Sequence, residues 1–175
     1  MNFKRIFMRF FLPSSFITLY VMFKYKSKVS PKAELELSAN LSMGADCEIG
    51  SFTKIKSSAG KLEIGRNTEI ANFVFIASDQ GGISIGEYCM IGPSVSIIGN
   101  SYKYDELEQP VLLQEKTSKG ITIGNNVWIG SGVTVLDGSQ IDDGSIISSN
   151  SVISGHIPKN SIVNGVPGKV IFTRR

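Results

Sequence analysis

Branched aliphatic residues fall at Ile123, Ile129, Val135, Ile141, Ile147 and Ile153, one every six positions, with small or turn-forming residues such as Gly124, Asn125, Gly130, Asp137 and Gly138 between them. A strand repeats every two residues and a helix every 3.6, so neither explains the interval alone. The same spacing recurs upstream as Val29, Leu35 and Leu41, as Ile49 and Ile55, as Ile64, Ile70 and Ile76, and as Ile85, Ile91 and Ile97. A unit this short cannot bury its apolar side alone and must stack on its neighbours. A short strand followed by a tight corner turns the next strand onto a new side, so three hexads predict one triangular coil. Stacked coils then form parallel strands about 4.8 Å apart. Residues eighteen apart lie one above another, Ile123 on Ile141 and Ile129 on Ile147, and their side chains make the core. Positions two before these, Val127, Val133, Ser139, Ser145 and Ser151, are expected to face inward near the corners, as is Cys89 before Ile91.

Departures from six carry as much information as the repeat. Ile55 to Ile64 and Ile76 to Ile85 are gaps of nine containing the polar turns "SSAGK" and "SDQGG". Two regular hexads separate them, which predicts that the extra residues occupy one corner of successive coils. The next gap at that corner, from Ile97 to Ile123, is twenty-six residues long. A loop of this length in a compact solenoid is usually functional or disordered.

Composition narrows the function. A net charge of +3 provides no dense basic face for nucleic acid. Eighteen glycines without a triplet period suit many corners rather than a collagen-like or disordered chain. Cys47 and Cys89 lie far apart with no metal-ligand spacing, as free buried thiols in a reducing compartment do.

The segments "KGITIGNNVWIGSGVTVLDGSQIDDGSIISSNSVI" and "IPKNSIVNGVPGKVI" resemble the hexapeptide-repeat acyltransferases over roughly residues 29–172. The resemblance implies an all-β, left-handed parallel β-helix and a homotrimer that places acetyl-CoA and an acceptor in clefts between prisms. It divides the chain into an N-terminal segment 1–28, a β-helix domain 29–172 with the loop 98–120 inserted, and a basic tail 173–175. The implied acyl-CoA groove involves Trp128, Ser131, Gly132, Ser149, Lys169 and Arg174. Ser131 and Ser149 stand one coil apart, their small size permits close approach, and Lys169, Arg174 and Arg175 offer cations to phosphates. Coil-corner serines also fit turns, and a basic terminus is also an ordinary solvated end. One histidine is too few for the zinc carbonic anhydrases that share this prism, and no metal is expected.

Acyl transfer to a hydroxyl needs a proton acceptor and an oxyanion donor. In the resembled family the acceptor is a histidine early in the long loop, in a context like "NHxYD". Here the loop begins "GNSYKYDELEQP": Tyr104, Asp105 and Pro110 fit, but Ser101 or Tyr102 takes the histidine's place. The candidate catalytic residues are therefore Tyr102, as an oxyanion donor, and Asp105 or Glu106, as a base if burial raises its pKa. The one histidine, His156, lies near the C-terminal cap. Two readings stay open. The first is an acetyl-CoA-dependent O-acetyltransferase acting on a carbohydrate acceptor in surface-polysaccharide or glycan assembly, cytoplasmic and at the inner membrane face. The second is a weakened or inactive trimeric prism that binds CoA or a partner enzyme.

Ahead of the repeats, Phe3, Ile6, Phe7, Phe10 and Phe11 fall at helical spacing with Lys4, Arg5 and Arg9 between, and a second apolar run spans 16–23. Residues 3–23 thus admit peripheral membrane contact, a cap over the open end of the prism, or a signal peptide.

Overall fold

The computed structural model describes residues 14–175. Strands of a few residues alternate outward and inward, as in Trp128–Ile129, Thr134–Val135 and Gln140–Ile141. Each is followed by a bend that turns the next strand through a corner. Three sheets result. The first face runs from Lys28–Val29 through Met90–Ile91 and Trp128–Ile129 to Ile146–Ile147 and Ser161–Asn164. The second runs from Glu34–Leu35 through Ser96–Ile98 to Val152–Ile153, and the third from Leu41–Met43 through Ile121–Ile123 to His156–Ile157. Neighbours within each face pair in parallel; the C-terminal strand Lys169–Thr173 adds antiparallel to Ser161–Asn164. This is the three-sided parallel β-helix the repeat predicts, and it is consistent with the left-handed form.

The register follows the sequence. Ile123 pairs with Ile141 and Ile129 with Ile147, eighteen residues apart. In the earlier coils Ile49 pairs with Ile70 and Ile64 with Ile85, twenty-one apart, and the surplus sits where the second face turns into the third. One assignment is corrected. Met43, rather than Leu41, stands opposite Ile64, while Leu41 stands opposite Leu62 in the inward position two residues earlier. The corner after Leu35 is already longer than a hexad, so the surplus begins in the first coil.

Ile70, Ile76, Ile91, Ile97, Ile129, Ile147 and Ile153 are fully buried. The inward positions near the corners, Cys47, Thr68, Cys89, Val127 and Ser145 on the first face, are buried as well. Polar members of this column close onto carbonyls of the adjacent coil: Thr68 Oγ1 donates to Gly86 O at 2.9 Å, Ser145 Oγ to Pro158 O at 3.0 Å and Cys89 Sγ to Gly124 O at 3.1 Å. The thiols therefore serve as weak hydroxyl substitutes, and burial, the largest influence on them, pushes both pKa values up. Among the described residues no buried side-chain polar atom lacks a partner.

The helix Ser14–Tyr25 crosses the open end of the first coil. Thr18, Val21 and Tyr25 share a face by their spacing. Thr18 and Val21 are buried, Tyr25 packs on the core, and its hydroxyl donates to Leu41 O at 2.8 Å. Capping therefore holds for 14–25, whereas the expectation for Phe3 to Phe11 lies outside the described residues. No helix among the described residues is long and apolar enough to cross a membrane.

Truncating the central column tests the packing. Ile129→Ala is expected to cost about 2–5 kcal/mol, and Ile129→Val about 0.5–1.5 kcal/mol, in urea unfolding followed by circular dichroism. Equal midpoints for Ile129→Ala and the parent would refute the burial account.

Candidate functional site

Two features stand apart from the plain prism: the long loop and the corner column around Ser131. The loop is a built structure. Its neck pairs Ser101 with Thr117 and Tyr102 with Lys116, antiparallel. Ser118 Oγ donates to Gly99 O at 2.6 Å and accepts from Gly81 N at 2.8 Å, fastening the neck to the coil below. Farther out, the buried Gln114 donates from Nε2 to Glu106 O and Gln109 O, both at 2.9 Å, and so holds the arm together from within. Tyr102, Asp105 and Glu106 face solvent.

An acid that the sequence reading passed over anchors this neck. Asp79, within the polar turn "SDQGG", is only 6 % exposed. Its carboxylate accepts from the Lys116 ammonium and, at 2.9 Å, from Gln80 N, with the Asn100 side chain alongside. The Lys116 hydrogen bond is the main reason its carboxyl stays below the usual carboxylate range. Asp79 is thus a fixed negative charge that positions Lys116 beside Tyr102, and it is poorly suited to accept a proton. The sequence signal was available: Asp79 lies at the same corner as the loop, one coil earlier.

The second feature lies where the first face turns into the second. Gly132 N donates to Pro93 O and Asn150 N to Ser131 O, both at 2.9 Å, so Ser131 and Ser149 stack on successive coils as the spacing predicts. Gly132 has φ +69°, and a Cβ there would lie 2.4 Å from Asn150 Oδ1. That contact is with a side-chain end, and Ser94 and Asn150 take the same positive φ one coil to either side, so the glycine here serves to keep the corner's surface low. Above it, Gly165 N donates to Ser151 Oγ at 3.1 Å and Gly168 N to Val152 O at 2.8 Å, which seats the 164–169 turn on the column and presents Lys169. Trp128, 51 % exposed, stands on the first face between Met90 and Ile146.

Trp128, Ser131, Gly132, Ser149 and Lys169 are thus gathered on one side. Arg174 is not among them. It donates from its backbone to Asn160 O at 2.8 Å and from its guanidinium to Gly144 O at 2.6 Å, along the opposite edge of the first face. His156 lies on the third face, two strands beyond the loop exit, with Nε2 2.9 Å from Asp142 Oδ2. The loop and the serine column occupy different corners of one prism.

Residues 120–155 match the family model described as bacterial transferase hexapeptide (six repeats). No curated protein matches the chain. Solved structures match it widely. A point mutant of AntD, an N-acyltransferase from Bacillus cereus in complex with dTDP and coenzyme A, superposes with TM-score 0.77 at 18 % identity, covering 90 % of this chain and 88 % of that one. A point mutant of perosamine N-acetyltransferase from Caulobacter crescentus, in complex with CoA and GDP-perosamine, gives 0.62 at 17 %, covering 82 % and 55 %. A hexapeptide-repeat acetyltransferase from Vibrio cholerae O1 biovar eltor, complexed with acetyl-CoA, gives 0.59 at 21 %, covering 97 % and 82 %. Fold and repeat together define the chain as a hexapeptide-repeat β-helix protein. The matched residues 120–155 lie in the coils that carry Trp128, Ser131 and Ser149.

The Asp79 tie has a pH signature. A carboxyl held below its ordinary value near 3.8 contributes fully above that pH, and its contribution is lost as pH falls through the depressed folded value. Limited proteolysis should find the neck resistant at neutral pH, and cut faster within 100–118 for Asp79→Asn or in strong acid. Identical cleavage rates for Asp79→Asn and the parent would contradict the anchoring role.

Proposed function

We propose that the protein transfers an acetyl group from acetyl-CoA to a hydroxyl of a carbohydrate acceptor in surface-polysaccharide or glycan assembly. It does so as a cytoplasmic homotrimer. The observation that carries this reading is the low, regularly stepped corner of Ser131, Gly132 and Ser149, walled by Trp128 and topped by Lys169, within the transferase-type repeat. An extended chain with amides along it, such as pantetheine, suits a groove whose surface repeats coil by coil. Lys169 supplies a cation for the CoA phosphates. Arg174 spends its guanidinium on Gly144 at the opposite edge and takes no part in the groove.

In the reaction the acceptor oxygen attacks the thioester carbonyl, the carbonyl electrons move onto oxygen, and collapse expels CoA as thiolate. The hydroxyl proton ends on the base or on the departing sulfur. Tyr102 donates to the developing oxyanion, and Asp105, exposed on a single prism, receives the proton once the neighbouring prism buries it. Because the loop and the groove lie at different corners, the reaction requires the loop of one prism to reach the groove of the next, which supports the trimer. The similar structures described as N-acyltransferases favour a second acceptor, a sugar amine. Its lone pair attacks without prior deprotonation, in keeping with a loop that carries no imidazole. The same lack of histidine supports the alternative of a weakened or inactive prism that binds CoA.

Two measurements test this. Trp128→Ala should weaken acetyl-CoA binding about ten-fold in calorimetric titration without lowering the melting temperature, as loss of an exposed aromatic wall does. Turnover with a panel of sugars and amino sugars should fall for Asp105→Asn by about 10²-fold or more, the typical contribution of a general base, and should fall also for Tyr102→Phe. Equal background hydrolysis in parent and both variants would favour the CoA-binding prism instead.

A further inference from the structure

The helix Ser14–Tyr25 is apolar on two sides. Its inner side, Thr18, Val21 and Tyr25, is used up by the first coil. On the other side Phe16 is 61 % exposed, Leu19 49 %, Tyr20 52 % and Phe23 82 %, and nothing among the described residues covers them. A helix hydrophobic all round belongs in an apolar setting on both sides. At twelve residues it is too short to span a bilayer, which takes about 20.

Charge identifies what covers the outer side. From Ser14 to Ala33 the chain contains Lys24, Lys26, Lys28 and Lys32, all exposed, and no aspartate or glutamate. The nearest carboxylates of the first coils stand on the outside of the prism, and each already has a partner there. Glu34 pairs with Lys54 at 2.7 Å, Glu36 accepts from Ser57 N and Ser58 N, and Glu48 lies 3.9 Å from Lys28. Asp46 is exposed at the neighbouring corner, where its N–H bonds Lys26 O. Lys24 lies 4.8 Å from the Tyr25 ring centroid and 5.8 Å from that of Tyr20, at the border between apolar side chains and solvent. A second copy of this end packed face to face would bring lysines against lysines, whereas an anionic headgroup layer neutralises them and admits the aromatic rings.

We infer that the outer side of the helix Ser14–Tyr25, with Lys24, Lys26 and Lys32 beside it, rests on an anionic lipid surface. The helix lies flat in the headgroup region, with Phe16 and Phe23 entering the acyl boundary and the lysines meeting lipid phosphates. The prism then stands with its first coil at the membrane and the Lys169 turn at the far end, exposed to the aqueous phase. This inference is independent of the acyl-transfer reading and survives its failure.

The test is co-sedimentation of the full chain with phosphatidylcholine vesicles with and without phosphatidylglycerol, over a salt series. The expected result is partition about ten-fold or more stronger on the anionic vesicles, lost at high salt. Phe16→Ser with Phe23→Ser should lower partition about ten-fold, at a circular-dichroism signal equal to the parent's. Lys24→Gln with Lys26→Gln should weaken it and flatten the salt dependence, and Phe172→Ser, at the other end of the prism, should leave it unchanged. Equal binding to both vesicle types, or a native protein that stays in the supernatant throughout, overturns the inference. So does an assembly size that drops for the Phe pair while the parent ignores vesicles, since a second copy would then own the face. Should the Phe pair misfold, the salt series and the lysine variant still decide the outcome.

Discussion

Registered stacking of inward aliphatic side chains is the interaction on which everything else in this molecule depends. Each side of a coil contributes two inward residues two positions apart, a large one with a small one on the first face and, in most coils, two large ones on the third, and neither is buried until the coils before and after are in place. Ile129 meets Ile91 on one side and Ile147 on the other, and each of those meets another in turn. The column is continuous, so a slip of one residue would turn isoleucines outward and corner residues inward. Small polar members such as Thr68 and Ser145 refine the fit by returning their hydrogen bonds to the neighbouring coil.

That constraint is unequal around the prism. The corner from first to second face keeps one length and one positive-φ position in coil after coil, held by Phe52, Phe73, Ser94, Gly132 and Asn150 in turn. The corner from second to third face tolerates surplus residues in coil after coil and ends by extruding the loop. Constancy produces the regular column of Ser131 and Ser149, while tolerance supplies the protruding loop. The buried Asp79, in the polar turn of the coil just before the loop, fixes Lys116 at the loop's root.

How legible this was in the sequence follows from the same physics. Interior spacing is written directly into residue order, so the coils, the buried Val127, Ser139 and Cys89, and the shared corner of the gaps could all be read. Leu41 was misplaced because two inward positions lie two residues apart, and either accepts a leucine when the corner before it lengthens. Asp79 escaped notice because an acid in a turn is ordinarily a solvated one; only the return of the loop, thirty-seven residues later, buries it. Arg174 is a similar case. The antiparallel return of the last strand carries it to Gly144 rather than toward Lys169. Periodic burial is local information, whereas a contact made by a returning segment depends on geometry that sequence does not spell out.

The central claim is that one prism's groove and a neighbour's loop enclose the same acyl donor. Hydrogen exchange by mass spectrometry, on the native assembly with and without acetyl-CoA, tests it most directly. The account predicts simultaneous protection of residues 128–132, 146–150 and the loop 100–118, although the loop and the serine column lie at different corners of a single chain. Protection confined to other segments, or none at saturating acetyl-CoA, would contradict it.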